Sequence, residues 1–154
     1  MKTKIVCVLI LITLSSTTFA KAKPEDLIKY RQSAMMFMRW NVGTIKKQVV
    51  KKPQSYNQQQ VSDAANAIAA VANTNLHALF APGTESGKGW KTTIAKPELF
   101  NNNDDVKQHL SVLRIEANKL AKIANSGDIN LIKPQFENLF QACRGCHKKY
   151  RAKP

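Results

Sequence analysis

Cys143-Arg144-Gly145-Cys146-His147, with seven residues after it, constrains this chain more than any other stretch. On a helix, Cys143 and Cys146 are three apart and Cys143 and His147 four apart, so their side chains leave one face about a turn from each other. C-x-x-C-H is the attachment signature of a c-type haem: the two thiols form thioethers with the haem vinyl groups, and the imidazole coordinates the iron. A structural zinc knuckle would need two further Cys or His ligands at knuckle spacing, and a thioredoxin-like C-x-x-C belongs near a βαβ unit. The sequence offers neither context. The expected cofactor is one covalently attached haem c, on Cys143 and Cys146, with His147 as the axial iron ligand.

The start of the chain fits that chemistry. Lys2 and Lys4, the apolar run Ile5 to Leu14 and the small residues up to Ala22 read as a secretory signal peptide over residues 1–22, cleaved after Ala20 or after Ala22. The apolar run is too short to span a bilayer. Cys7 would leave with the signal, so the mature chain keeps only the two motif cysteines and has none for a disulfide. Export, to the periplasm, is then required for haem attachment. Cleavage after Ala22 lowers the basic count from 24 to 21 against 10 acids, a mature charge of +11 over residues 23–154. Such a charge suits an acidic partner or an anionic surface, although scattered lysines also make an ordinary solvated face. Nucleic acid is excluded as a partner, because no aromatic-plus-basic platform accompanies the lysines, and no membrane span is expected in the mature chain.

Four helical segments follow. Pro24, Glu25 and Asp26 suit a helix start, and Ile28, Met35, Val42 and Val49, with Met38 and Ile45, form a buried seam on a helix of about 25 residues. After Lys51 to Ser55, an alanine-rich helix is expected to run from Val61 through Leu76 to Phe80. Pro82-Gly83, Gly87-Lys88-Gly89 and Lys96-Pro97 interrupt the pattern, so Ala81 to Asn103 reads as a long crossover pinned to the core by Trp90, Ile94, Leu99 and Phe100. The third helix starts near Asn103 to Asp105 and stops at Gly127. Asp128 starts the fourth, with Pro134 suggesting a short opening turn before the helix proper. The expected fold is all-α, an antiparallel four-helix bundle with a long crossover loop between helices 2 and 3.

Lys23 to Asp26 with Tyr30 to Met35, Phe80 to Thr84, Ala95 to Phe100 and Cys143 to Arg151 occur in an order that resembles the cytochrome c′ family, across essentially the whole of residues 23–154. The resemblance implies a homodimer built on the first two helices, His147 as sole iron ligand, and a closed apolar distal side that admits nitric oxide and sometimes carbon monoxide. It implies that Arg31 and Gln32 stand at haem-propionate positions, that Met35 packs over the distal face, that Phe80 walls the distal pocket and that Arg151 borders the proximal side. His77 stands where relatives often carry a tryptophan at the haem edge. Low-spin relatives use a methionine of the first helix as an iron ligand, so for Met35 both packing and sixth-site ligation stay open. His109 reads as a surface residue.

The expected function is therefore non-enzymatic, with no catalytic residues: reversible gas binding at a five-coordinate iron, with room beside it for an electron-transfer role with an unidentified redox partner. The alternative is a six-coordinate His147/Met35 electron carrier, and a haem-free metal-binding interaction module is the remote third. For the dimer, the association stripe is expected to include Met36 and Ala67, with Phe37 or Trp40 as an anchor.

Overall fold

The computed structural model describes residues 22–153; the expected signal peptide lies almost entirely outside them. Four long helices carry the chain: α1 (Pro24–Ile45), α2 (Gln58–Ala72), α3 (Asn103–Ala124) and α4 (Ile129–Tyr150). α1 packs on α2, α2 on α3 and α3 on α4, the neighbour order of an antiparallel bundle.

Each helix begins and ends for local reasons. Pro24 opens α1 with acids Glu25 and Asp26 in the first turn, where they suit the helix dipole. The Asn57 side chain accepts the Gln60 N–H at 2.9 Å to cap α2, and Asp128 accepts the Asn130 N–H at 2.9 Å to cap α4. Between α3 and α4 the chain reverses at Gly127, with φ +77°. The inward faces, including Ile45, Val61, Ile68, Leu120, Ile132, Phe136 and Leu139, form one continuous apolar core. At roughly 25 cal/mol per Å² this burial is the main force holding the helices together.

Four expectations need correction. α1 does not continue regularly to Val49: Lys46–Lys51 is a wider π-helical turn, where buried Gln48 donates to the Gln60 side chain at 2.7 Å and accepts the Asn57 N–H at 2.8 Å. α2 does not reach Phe80. Thr74 turns its hydroxyl onto the Val71 carbonyl at 2.7 Å, a local bond that competes with helix continuation, and Leu76–Phe80 becomes a separate 3₁₀ turn. Pro134 opens nothing, since α4 already runs from Ile129 with the proline inside it. Trp90 does not pin the crossover by burial: it is 63% exposed and donates its indole N–H to Ser33 Oγ at 2.8 Å.

What pins the crossover is α1. Arg31 is 5% exposed, and its two Nη atoms donate to the Leu79 carbonyl, the Thr84 hydroxyl, the Thr84 carbonyl and the Thr93 hydroxyl, at 2.9–3.1 Å. Gln32 exchanges two hydrogen bonds with the Lys91 backbone. At Gly89 the loop approaches α1 so closely that an added Cβ would stand 2.8 Å from the Lys29 nitrogen and 3.0 Å from the Ile28 carbonyl carbon. Those backbone atoms cannot yield. Gly89→Ala should therefore destabilise the fold by about 1–3 kcal/mol, the range for overpacking, measurable as a lowered denaturation midpoint, whereas Gly43→Ala, with nothing within 4 Å of its Cβ, should not.

Candidate haem site

The motif lies on the last turns of α4, with Cys143, Cys146 and His147 at the helical spacing expected of them. Neither motif cysteine is in a disulfide. Cys143 packs against the main core, whose margin also holds Ala34, Met35, Val42 and Leu79. Cys146 packs against a second cluster formed by Leu99, Val106 and Tyr150, with Phe80, Phe100 and Leu110 at its edge. The two thiols thus bridge the bundle core and the crossover. Burial raises the pKa of both; that of Cys146 is pushed up to about 11 by burial first and then by the charges of Asp105 and Cys143.

His147 is exposed on α4, and its pKa is held below the usual value by the surrounding protein first and by the positive charge of Arg151 second. Both effects favour the neutral imidazole, the form that ligates metal. Arg151 follows the helix as its C-cap and donates its backbone N–H to the His147 carbonyl at 3.1 Å.

The crossover closes on this end of α4. Ala95 and Arg151 form an antiparallel bridge: the Lys96 N–H donates to the Tyr150 carbonyl and the Ala152 N–H to the Ile94 carbonyl, each at 2.9 Å. From α3, Asp105 accepts the Tyr150 hydroxyl at 2.5 Å and pairs with Lys149 at 3.0 Å and His109 at 3.4 Å. His109 is therefore more than the surface residue the sequence suggests. Its ring meets the Tyr150 ring edge-on at 6.0 Å, and its Cε1 lies 3.7 Å from where a Cβ on Gly145 would stand. A larger residue between the two cysteines would meet it.

The residues fit a flat, covalently held group. The antiparallel arrangement sets the first half of α1 beside the last half of α4, yet α4 meets the first helix's side of the bundle at the Lys46–Lys51 turn and hardly along α1 itself. His77, on the 3₁₀ turn, buries its Nε2 without a hydrogen-bond partner among the described residues. A buried polar atom of that kind calls for a partner the protein does not supply.

A family model described as cytochrome c′ matches residues 26–151. The chain belongs to the cytochrome c′ family. It is 45% identical over 132 residues to cytochrome c′ of Rhodocyclus tenuis, a match covering 86% of this chain and 98% of the relative. A cytochrome c′ structure described as having an unusual ligand-controlled dimer dissociation superposes with a TM-score of 0.81 at 42% identity, covering 87% of this chain and 100% of that one. A nitric oxide complex of a leucine-to-isoleucine mutant of cytochrome c prime from Alcaligenes xylosoxidans gives 0.73 at 32% identity, covering 86% and 98%. The protein is a haem protein of the four-helix-bundle type, and proteins of this family carry covalently attached haem c.

The remaining expected site residues divide. Met35 and Phe80 lie half-buried at the margins of the two clusters that hold the cysteines. Gln32 is engaged with the crossover backbone. Arg31, expected at a propionate, has all four Nη protons used within the protein and its guanidinium over the rings of Phe80 and Phe100 at 5.1 and 5.8 Å; the Nε–H alone is left for a propionate. Asp105 was not legible as a site residue, because it lies on another helix and its bond to Tyr150, which shares the inward side of the motif helix, spans 45 positions.

Asp105 is held below the ordinary carboxylate range, chiefly by the Tyr150 hydroxyl and then by Lys149. A depressed folded pKa means that its contribution to stability is complete above the unfolded value of about 4 and is lost as the pH falls through the folded one. Tyr150→Phe should move the Asp105 carboxyl titration upward, as followed by carbon NMR. The same substitution should shrink the part of the stability that is lost below a pH of about 4, because the onset is set by the unfolded carboxyl and only the folded value moves.

Proposed function

We propose that this protein binds nitric oxide, and carbon monoxide, reversibly in an apolar pocket at a five-coordinate iron, with His147 as the only protein ligand. Haem c supplies the iron that takes the gas; the chain's own residues decide what reaches it. Met35 carries the reading: it lies at the core margin that also holds Ala34, Val42 and Cys143, and neither its side chain nor those of Ala34 and Val42 has a donor to offer a ligand. A polar ligand entering such a space loses its hydration without replacement, while a small diatomic has little hydration to lose. Cys143 and Cys146 anchor the group, and neutral His147 presents its ring nitrogen from α4. The nitric oxide complex known for the Alcaligenes xylosoxidans relative supports the choice of gas.

The protein works, in this reading, outside the cytoplasm after removal of residues 1–22, and as a homodimer through α1 and α2. Met36, Phe37 and Trp40 leave 63%, 52% and 74% of their surface exposed on α1, an apolar stripe of the kind that anchors an interface. The dimer named for the superposed relative supports this assembly. No catalytic step is assigned.

A second reading rests on the same Met35, whose flexible thioether can ligate as well as pack: a six-coordinate electron carrier. Met35→Ala separates the two. If Met35 packs, the variant stays high-spin and gains carbon monoxide affinity, by about tenfold if the side chain's displacement costs about 1.4 kcal/mol. A wild type that is low-spin and becomes high-spin in the variant would transfer the assignment to the electron carrier.

A further inference from the structure

The last turns of α4 carry a concentration of charge that attachment chemistry does not require. From Gln141 to Lys153 the chain has five cations, Arg144, Lys148, Lys149, Arg151 and Lys153, and no acid. All five are exposed. Lys149 is matched by Asp105; the other four have no ion-pair partner among the described residues. Helix polarity accounts for cations in the final turn, since they suit the negative end of the dipole. It does not account for Arg144, before that turn, or for Arg151 and Lys153, beyond the helix.

Their placement is ordered. Arg144 and Lys148 are four apart on one stripe, an arrangement in which like charges disfavour the helix. Arg144 stands three residues before His147 and Arg151 four after it, so the stripe brackets the exposed imidazole. Towards the bundle middle, the Phe140 ring has Arg144 over it at 5.9 Å and Lys46 at 5.1 Å, which extends the stripe onto the Lys46–Lys51 turn. The nearest acid on the same side of α4 is Glu137, which hydrogen-bonds Gln141.

We propose that this cationic ridge, Lys46–Arg144–Lys148–Arg151, is the docking surface for an acidic one-electron carrier protein. The proposal rests on the protein being a haem protein and adds to the gas-binding reading a route for the electron. Opposite charge steers encounter and fixes orientation, and docking here sets the partner on the last turns of the haem-bearing helix. The bound haem would accept the single electron that the reduced carrier gives up, with no atom or proton transferred. A protein suits the ridge better than a membrane because no large exposed apolar side chain accompanies the cations between Gln141 and Lys153, and surface insertion needs an apolar face.

The test uses the haem-loaded protein and flavodoxin, an acidic one-electron carrier, as the probe. Calorimetry at low ionic strength should show binding that weakens as salt rises, and stopped-flow mixing with reduced flavodoxin should show haem reduction with the same salt dependence. Arg144→Glu with Lys148→Glu should weaken binding and slow reduction at least tenfold. Lys122→Glu with Lys133→Glu makes the same change in net charge at the opposite end of the bundle and should change both by less than threefold. Arg144→Gln with Lys148→Gln, a milder pair, guards against misfolding and should give an intermediate loss. Equal losses in the ridge and control pairs, salt-independent binding, or binding to phosphatidylglycerol vesicles in place of flavodoxin would each overturn the proposal. Gas affinity and reduction by dithionite should be unchanged in the ridge variants, so loss of gas binding in the wild type would refute the functional reading and leave the ridge standing.

Discussion

A single buried guanidinium holds the haem end of this bundle together. Arg31 carries its charge into the protein interior without a carboxylate against it, a placement that would cost several kcal/mol if its donors were left empty. They are not empty: four Nη bonds go to two carbonyls and two hydroxyls, and two aromatic rings lie under the charge. Burial still lowers its pKa, with Glu85 working in the opposite direction. Because the acceptors belong to the 3₁₀ turn and the crossover, one side chain of α1 fixes two segments that no regular hydrogen-bond ladder would fix. A lysine could not replace it, since an ammonium lacks the planar fork that reaches Leu79, Thr84 and Thr93 together.

The rest of the site follows from that tie. With its first half clamped on Arg31, Gln32 and the close approach at Gly89, the crossover returns along a defined path and pairs with Arg151 and Ala152 just beyond the motif. The C-terminal end of α4, which would otherwise fray, is held on one side by the crossover and on the other by Asp105 from α3. His147 is thereby presented by a helix secured from both flanks. Such anchoring suits the proposed role of His147, in which the imidazole would meet an iron at fixed distance and angle.

The fold and the chemistry were legible in the sequence because both rest on local rules: the haem motif is a spacing on one helix, the helices are periods of apolar residues, and Asp128 and Gly127 are start and stop residues doing their usual work. What could not be read is long-range or competitive. Arg31 looks like a solvated or propionate-facing residue until the crossover is folded over it. His109 looks exposed until Tyr150, 41 positions later, lies against it. The second helix breaks at Asn73-Thr74-Asn75 although its apolar period continues, because the Thr74 hydroxyl bonds the Val71 carbonyl and wins over periodicity. Trp90 misleads in the opposite sense, a large apolar residue held by its one polar atom.

In the proposed reading the folded chain supplies one iron ligand, His147, and keeps the opposite side closed by packing alone. Resonance Raman spectroscopy of the purified ferric protein at neutral pH reads the coordination number directly. One protein ligand gives the marker bands of a five-coordinate high-spin haem. Six-coordinate low-spin bands in the wild type would show that a second side chain of this protein holds the iron, and would contradict it.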